Sequence, residues 1–166
     1  MKDKKFSVLL TAFQGTSSEK IIHSFGDEYY KLILVNDKGN SVNQLISAID
    51  VHRPDYIISF GQKPVIKDKI YIEFRGREND TIYETNFDVE GLEDAFENVG
   101  FSVCKSYNAG TSYCNHIYVN GLKYLREKEY EGKMVFVHVP FAKNMSSLVE
   151  YAVSVKRAVE MFLGVE

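Results

Sequence analysis

Cysteine is scarce, long apolar runs are missing, and cations are scattered apart from a short cluster at the start. Each shortfall removes a class of protein. Two cysteines, Cys104 and Cys114, are too few for a disulfide framework and too far apart for a C-x-x-C redox pair, so one or both are expected as free thiols. No Cys/His grouping has zinc spacing, and His116, two residues after Cys114, would point to another side of a helix. The longest apolar stretch, around Val135 to Ala142, is about eight residues interrupted by His138, against about 20 for a membrane span. Lys2, Lys4 and Lys5 precede only the brief Val8-Leu9-Leu10, with no small-residue cleavage site behind it, so this start is not expected to act as a signal peptide. A net charge of −3 argues against a nucleic-acid groove, because phosphate binding usually needs a basic face. Repeats, low-complexity tracts and Pro/Gly-rich linkers are also lacking. These exclusions lead us to expect a soluble, cytoplasmic protein with no nucleic-acid or membrane partner.

The remaining composition is that of an ordinary globular domain, 45% hydrophobic and 26% charged over 166 residues. That length is expected to form a single domain over 1–166. Strand-like and helix-like segments alternate throughout. Phe6 to Leu10, Lys31 to Val35, Asp55 to Phe60 after Pro54, and Met134 to Val139 read as buried strands. The third is expected to stop at Gly61, Lys69 to Phe74 is β-rich, and Phe101 to Ser106 is a weaker strand. Ser41 is expected to cap a helix carrying Val42, Leu45, Ile46 and Ile49, and Asp88 one carrying Leu92, Ala95, Phe96 and Val99, closed by Gly100. From Ser146 onward, Leu148, Val149, Ala152, Val155, Val159 and Phe162 form one stripe. Continuous apolar strands alternating with helices predict an α/β fold, a mostly parallel sheet covered on both faces. Residues 14–18, 61–68 and 76–86 read as irregular, and in such a sheet ligands bind where loops follow the carboxyl ends of strands.

Two segments could carry chemistry there. Ser106 to His116 is a polar, small-residue loop running into a helix, and places Cys114 near the helix start. The positive end of the helix dipole is expected to lower the thiol pKa, and the amides there can receive an oxyanion. His138 lies near the carboxyl end of its strand, where a base for Cys114 would be needed, and Glu73 could orient it as the third member of a triad. Each residue also has an ordinary structural explanation: a small core thiol, a satisfied core histidine, a solvated edge carboxylate. A cysteine phosphatase would need C-x₅-R, and a glutamine-amidotransferase-type site G-x-C-x-G; neither occurs. His23 and His52 read as exposed.

The residues themselves add more. Ser106-Tyr107-Asn108-Ala109-Gly110-Thr111-Ser112-Tyr113-Cys114-Asn115-His116-Ile117-Tyr118 resembles the S-x-x-A-G-T-x-x-C-N-x-x-[FY] nucleophile motif of pyroglutamyl peptidase type I, the pyrrolidone-carboxylate peptidase family. Phe136-Val137-His138-Val139-Pro140 is similar to its F-[VI]-H-[VI]-P strand, and Pro54 to Gln62 to its P-D-x-[IV]-[IV]-x-x-G-Q segment. Val8-Leu9-Leu10-Thr11-Ala12-Phe13 resembles its V-L-[LV]-T-G-F opening, so the likeness is collinear over nearly the whole chain. The resemblance implies a three-layer α/β/α sandwich with a mixed, mostly parallel sheet, of the phosphorylase/hydrolase-like kind. It implies a small peptide substrate with a blocked N-terminus, cut by a thiol mechanism without metal or cofactor, in a chain that can form a homo-oligomer. Cys114 would be the nucleophile, His138 the base and Glu73 its orienting carboxylate. Phe13 would stack on the lactam ring and Gln62 hydrogen-bond its amide edge, with Ser112 and Tyr113 completing the pocket.

The departures are as specific. The family's G-x-A-G-G-R loop is here Gly61-Gln62-Lys63-Pro64-Val65-Ile66, and its P-F-G-G stretch is reduced to Gln14-Gly15-Thr16. The segment after the glutamate is shortened, and Ser112 replaces the family's aromatic two positions before the nucleophile. The chemistry looks kept and the pocket altered. The alternative reading is a catalytically altered member that binds a small ligand or partner without pyroglutamyl hydrolysis.

Overall fold

The computed structural model describes residues 5–64 and 68–165. The reading of Lys2 and Lys4, and part of the expected 61–68 irregular stretch, lie outside them. The main sheet contains six strands in the order β2 (Tyr30–Leu34), β1 (Val8–Phe13), β3 (Tyr56–Lys63), β8 (Lys133–Pro140), β4 (Lys69–Glu73) and β7 (Ser102–Ser106). A separate pair joins β5 (Arg75–Glu78) to β6 (Thr81–Glu84). The helices are α1 (Ser17–His23), α2 (Lys38–His52), α3 (Val89–Asn98), α4 (Tyr113–Glu127) and α5 (Leu148–Leu163). From β2 to β8 the strands are parallel; β4 meets β8 antiparallel and β7 runs parallel to β4.

Alternation along the strands builds two cores, because successive side chains leave opposite faces. Val8, Leu10, Ala12, Ile58, Phe60, Ile70, Ile72, Val135, Val137 and Val139 pack on one side with α1, α3 and α5. Leu9, Phe13, Ile57, Met134 and Phe136 pack on the other with α2 and α4. The result is the expected three-layer sandwich around a mixed sheet. Both faces are covered, so the central strands show no polar alternation.

Several local expectations are corrected. The first strand begins at Val8, two residues later than its apolar run, and β3 passes through Gly61 to Lys63. Asp37, not Ser41, caps α2: its Oδ1 accepts from the Asn40 amide at 2.7 Å, and Ser41 is buried inside the helix. The stretch 14–18 already contains the start of α1, capped by Thr16. Most of 76–86 is the β5–β6 hairpin rather than irregular chain. Val149 leaves the stripe of α5 and is 74% exposed, while Tyr151 and Ala158 are buried in that helix. Asp88 caps α3 as expected, accepting from the Gly91 amide, and Gly100 follows at a left-handed φ of 99°. β4 and β7 run against the other strands, yet the loop after β7 returns to the carboxyl edge that β1, β3 and β8 share, since Tyr113 meets Phe13 at the end of β1 and Cys114 meets Gly61 on β3.

Candidate active site

Register puts the key residues on one face of three adjacent strands. Gly61 on β3 is the partner of His138 on β8, and Tyr71 on β4 is the partner of His138 from the other side. Glu73 lies opposite Phe136, two residues before His138 and therefore on the same face. His138 Nδ1 and Glu73 Oε1 are 2.7 Å apart, and both side chains are buried. The solvated-edge explanation of Glu73 is thus removed, since it is fully buried on β4, between β8 and β7. Tyr118 on α4 fixes the strand end by donating its hydroxyl to the Glu73 carbonyl at 2.8 Å.

Cys114 is the second residue of α4 and is partly buried. Its Sγ occupies the space above Gly61: a Cβ at residue 61 would lie 2.7 Å from that sulfur and 2.7 Å from the Phe136 ring. Only glycine lets the thiol settle against the strand beside the position of His138. Cys104 lies on β7 and is also a free thiol.

Lys63, two residues beyond Gly61 on the same face, was legible only as a departure from the loop motif. Its Nζ stands 3.0 Å from Glu73 Oε1, the oxygen that also meets His138, and 4.1 Å from the centre of the Tyr71 ring. The expected stop at Gly61 hid it, because only a strand that continues past Gly61 puts residues 61 and 63 on one face.

The electrostatics follow from burial and these contacts. Burial alone would raise the Glu73 pKa, but the hydrogen bond from His138, with the charges of His138 and Lys63, holds it below the usual carboxylate range. Burial lowers the His138 pKa; Glu73 opposes this and Lys63 adds to it, leaving the imidazole below its ordinary value. A neutral ring donating from Nδ1 to Glu73 leaves Nε2 as a free base. Cys114 departs from expectation. Burial and the Glu73 charge push its thiol up to about 12, with Lys63 opposing, so desolvation outweighs the helix dipole. The resting pair is therefore thiol and neutral imidazole, not thiolate and imidazolium.

The surrounding pocket residues are placed as follows. Phe13 ends β1, and its ring meets that of Tyr113 edge-on at 5.7 Å, so Tyr113 turns toward the aromatic face that Ser112 does not supply. Ser112 is exposed and forms the N-cap of α4 without a side-chain hydrogen bond. Gln62 points to the opposite sheet face from Gly61 and Lys63. There its Oε1 accepts from the Ser17 amide at 3.0 Å and the Ser17 hydroxyl at 3.2 Å. Among the described residues no helix is long and apolar enough to cross a membrane.

No protein-family model matches the chain. A pyrrolidone-carboxylate peptidase of Fusobacterium nucleatum is 29% identical over 126 residues, 74% of this chain and 55% of that protein. The chain thus spans about half the length of that relative. A pyrrolidone-carboxylate peptidase of Lactobacillus johnsonii is 27% identical, covering 81% of this chain and 77% of its own length. Among solved structures, pyrrolidone carboxyl peptidase from Thermococcus litoralis superposes with a TM-score of 0.81 at 20% identity, covering 96% of this chain and 94% of that one. Pyroglutamyl peptidase I of Bacillus amyloliquefaciens gives 0.84 at 19% identity, covering 96% and 98%. In fold over nearly its whole length, and in sequence over most of it, the chain is similar to the pyrrolidone-carboxylate peptidases.

Proposed function

We propose that this chain is a cysteine-type peptidase or amidase that removes an N-terminal pyroglutamyl residue from peptides, using Cys114, His138 and Glu73. The observation that carries this reading is the 2.7 Å contact between two buried groups, His138 Nδ1 and Glu73 Oε1, beside a thiol seated over Gly61. The names of the relatives supply the substrate class.

The lactam ring sits against Phe13 and Tyr113. His138 Nε2 takes the Cys114 proton as Sγ attacks the pyroglutamyl carbonyl, and the first amides of α4, which Ser112 does not cap through its side chain, receive the oxyanion. The imidazolium formed is stabilised by Glu73 and gives its proton to the departing amine as the C–N bond breaks. Water then attacks the thioester, passing a proton through His138 to the sulfur as the C–S bond breaks and pyroglutamate leaves. The raised thiol pKa requires proton transfer to accompany attack, which is the task of a neutral imidazole. Release of aminomethylcoumarin from its pyroglutamyl amide tests the reading. Wild type should turn over, and Cys114→Ala should lose at least about 10³-fold. Turnover that survives Cys114→Ala refutes it. The altered pocket residues and the raised thiol pKa favour the second reading, a member that binds a small ligand or partner without hydrolysis, which predicts that pyroglutamyl peptides are not cut by wild type.

A further inference from the structure

At the start of α4 lies a cavity of about 380 Å³ whose lining includes Arg75, Arg77, Tyr107, Asn108, Thr111 and Asn115. Its two walls are tied together. Asn115, the residue after Cys114, donates to the Arg77 carbonyl at 2.8 Å and accepts from the Arg77 amide at 2.9 Å. Arg75 Nε donates to the Tyr107 carbonyl at 3.0 Å, and Gly76 lets β5 lie against α4, since a Cβ there would be 2.9 Å from the Val119 backbone. Among the described residues neither guanidinium forms an ion pair, although Glu84 is the register partner of Arg75. Arginine presents several fixed donors that suit a carboxylate, so two unpaired guanidiniums on one cavity wall favour an anion there.

The sheet order gives that anion a direction. Phe13 is on β1 and Arg75 follows β4, and these strands flank the β3–β8 pair on opposite sides. A substrate with its ring at Phe13 and Tyr113 and its scissile bond at Cys114 therefore extends its leaving portion toward the arginines. The cavity is at the small end of ligand sites, which run about 300–1,000 Å³, and suits a residue or two. We propose that Arg75 and Arg77 bind a carboxylate in the leaving portion of the substrate, making this chain selective for very short or acidic pyroglutamyl peptides. The carboxylate has two sources, the C-terminus of a dipeptide or the side chain of an acidic residue after the pyroglutamyl group. This inference rests on the hydrolytic reading for its orientation, but its binding chemistry can be tested apart from it.

The experiment compares pyroglutamyl-alanine, pyroglutamyl-alanine amide and pyroglutamyl-glutamate amide. Each is measured for hydrolysis by wild type and for calorimetric binding to Cys114→Ala. At low salt the carboxylate peptides should be preferred about tenfold over the neutral amide. That ratio should collapse toward one in Arg75→Met/Arg77→Met. It should largely persist in the charge-keeping Arg75→Lys/Arg77→Lys, which also controls for folding, and should decline with salt. Preference for pyroglutamyl-alanine alone assigns the terminal carboxylate, and preference for pyroglutamyl-glutamate amide alone assigns the acidic side chain. Equal hydrolysis and equal binding of all three peptides overturn the inference while leaving the hydrolytic reading intact. Arginine-dependent binding without any release of pyroglutamate overturns the hydrolytic reading and leaves the carboxylate pocket standing.

Discussion

Replacing Lys63 by methionine isolates the contribution of one charge to the proposed base, His138. Lys63 Nζ and His138 Nδ1 reach the same Glu73 oxygen, at 3.0 Å and 2.7 Å. The ammonium and the imidazole are therefore no more than about 6 Å apart, within the range where a neighbouring charge moves a pKa. At an effective dielectric constant of about 20, unit charges at that distance repel by about 3 kcal/mol, equal to about two pH units. The Lys63 side chain is 25% exposed, and screening by water and salt reduces this to about one unit. The sign is fixed by the contacts. Lys63 disfavours the imidazolium directly, and it shares the Glu73 carboxylate that would otherwise favour the imidazolium fully. Lys63→Met should therefore raise the His138 pKa and move the acid limb of the kcat/KM profile upward by about one pH unit, whereas Lys63→Arg should leave it near its wild-type position. Below the limb the loss reaches about tenfold, and activity recovers at alkaline pH. Proton NMR titration of the His138 ring gives the same answer without a substrate. An acid limb that stays in place or moves down in Lys63→Met refutes the reasoning.

Two further outcomes follow from the same residues. Gly61→Ala places a methyl group 2.7 Å from the Cys114 sulfur and the Phe136 ring. It should cost about 1–3 kcal/mol of stability by chemical denaturation and displace the thiol, so that activity falls by more than the stability loss accounts for. Stability should fall on both sides of neutrality. The folded pKa values of His138 and Glu73 are depressed, so the unfolded chain binds protons first as pH drops below about 6.5 and stability is lost there. The Cys114 thiol ionises only near 12 in the fold, so the unfolded chain loses that proton first and stability declines as pH rises past about 9. Melting curves of Cys114→Ala should show a shallower alkaline decline and an unchanged acid one.

The apolar runs of β1, β2, β3 and β8 made the parallel half of the sheet legible, because strands covered on both faces carry no polar residues to confuse the pattern. The β5–β6 hairpin was hidden for the opposite reason. Arg-Gly-Arg-Glu and Thr-Ile-Tyr-Glu have almost nothing to bury, and β5 is held instead by the contact of Gly76 with α4 and by the amide of Asn115. Val149 was misplaced because a helical stripe read from spacing alone has no edge, and this residue falls just outside what the sheet covers. Cys114, His138 and Glu73 stood out through their motifs, strand ends and spacing, and the structure groups them around Gly61. The ionisation of Cys114 could not be read in advance, since a helix start suggests a lowered pKa and only the fold shows how much water is excluded. Lys63 was passed over because a lysine is expected in solvent, and nothing in a sequence shows that a buried carboxylate two strands away needs it.

The reversal of direction at β8 also has a mechanical consequence. This strand is a seam, with three strands aligned with it on one side of the sheet and two opposed strands beyond it. The Lys63–Glu73 contact is a strap over that seam, anchored on β3 at one end and on β4 at the other, with the imidazole held beneath it. The outer pair β4–β7 has β7 as a half-exposed edge and can open with less lost burial than the centre of the sheet. When it opens, the imidazole loses its partner and the ammonium its anchor together. The lifetime of the His138–Glu73 pair is then tied to how firmly β4 and β7 stay paired to β8, rather than to the parallel strands on the other side.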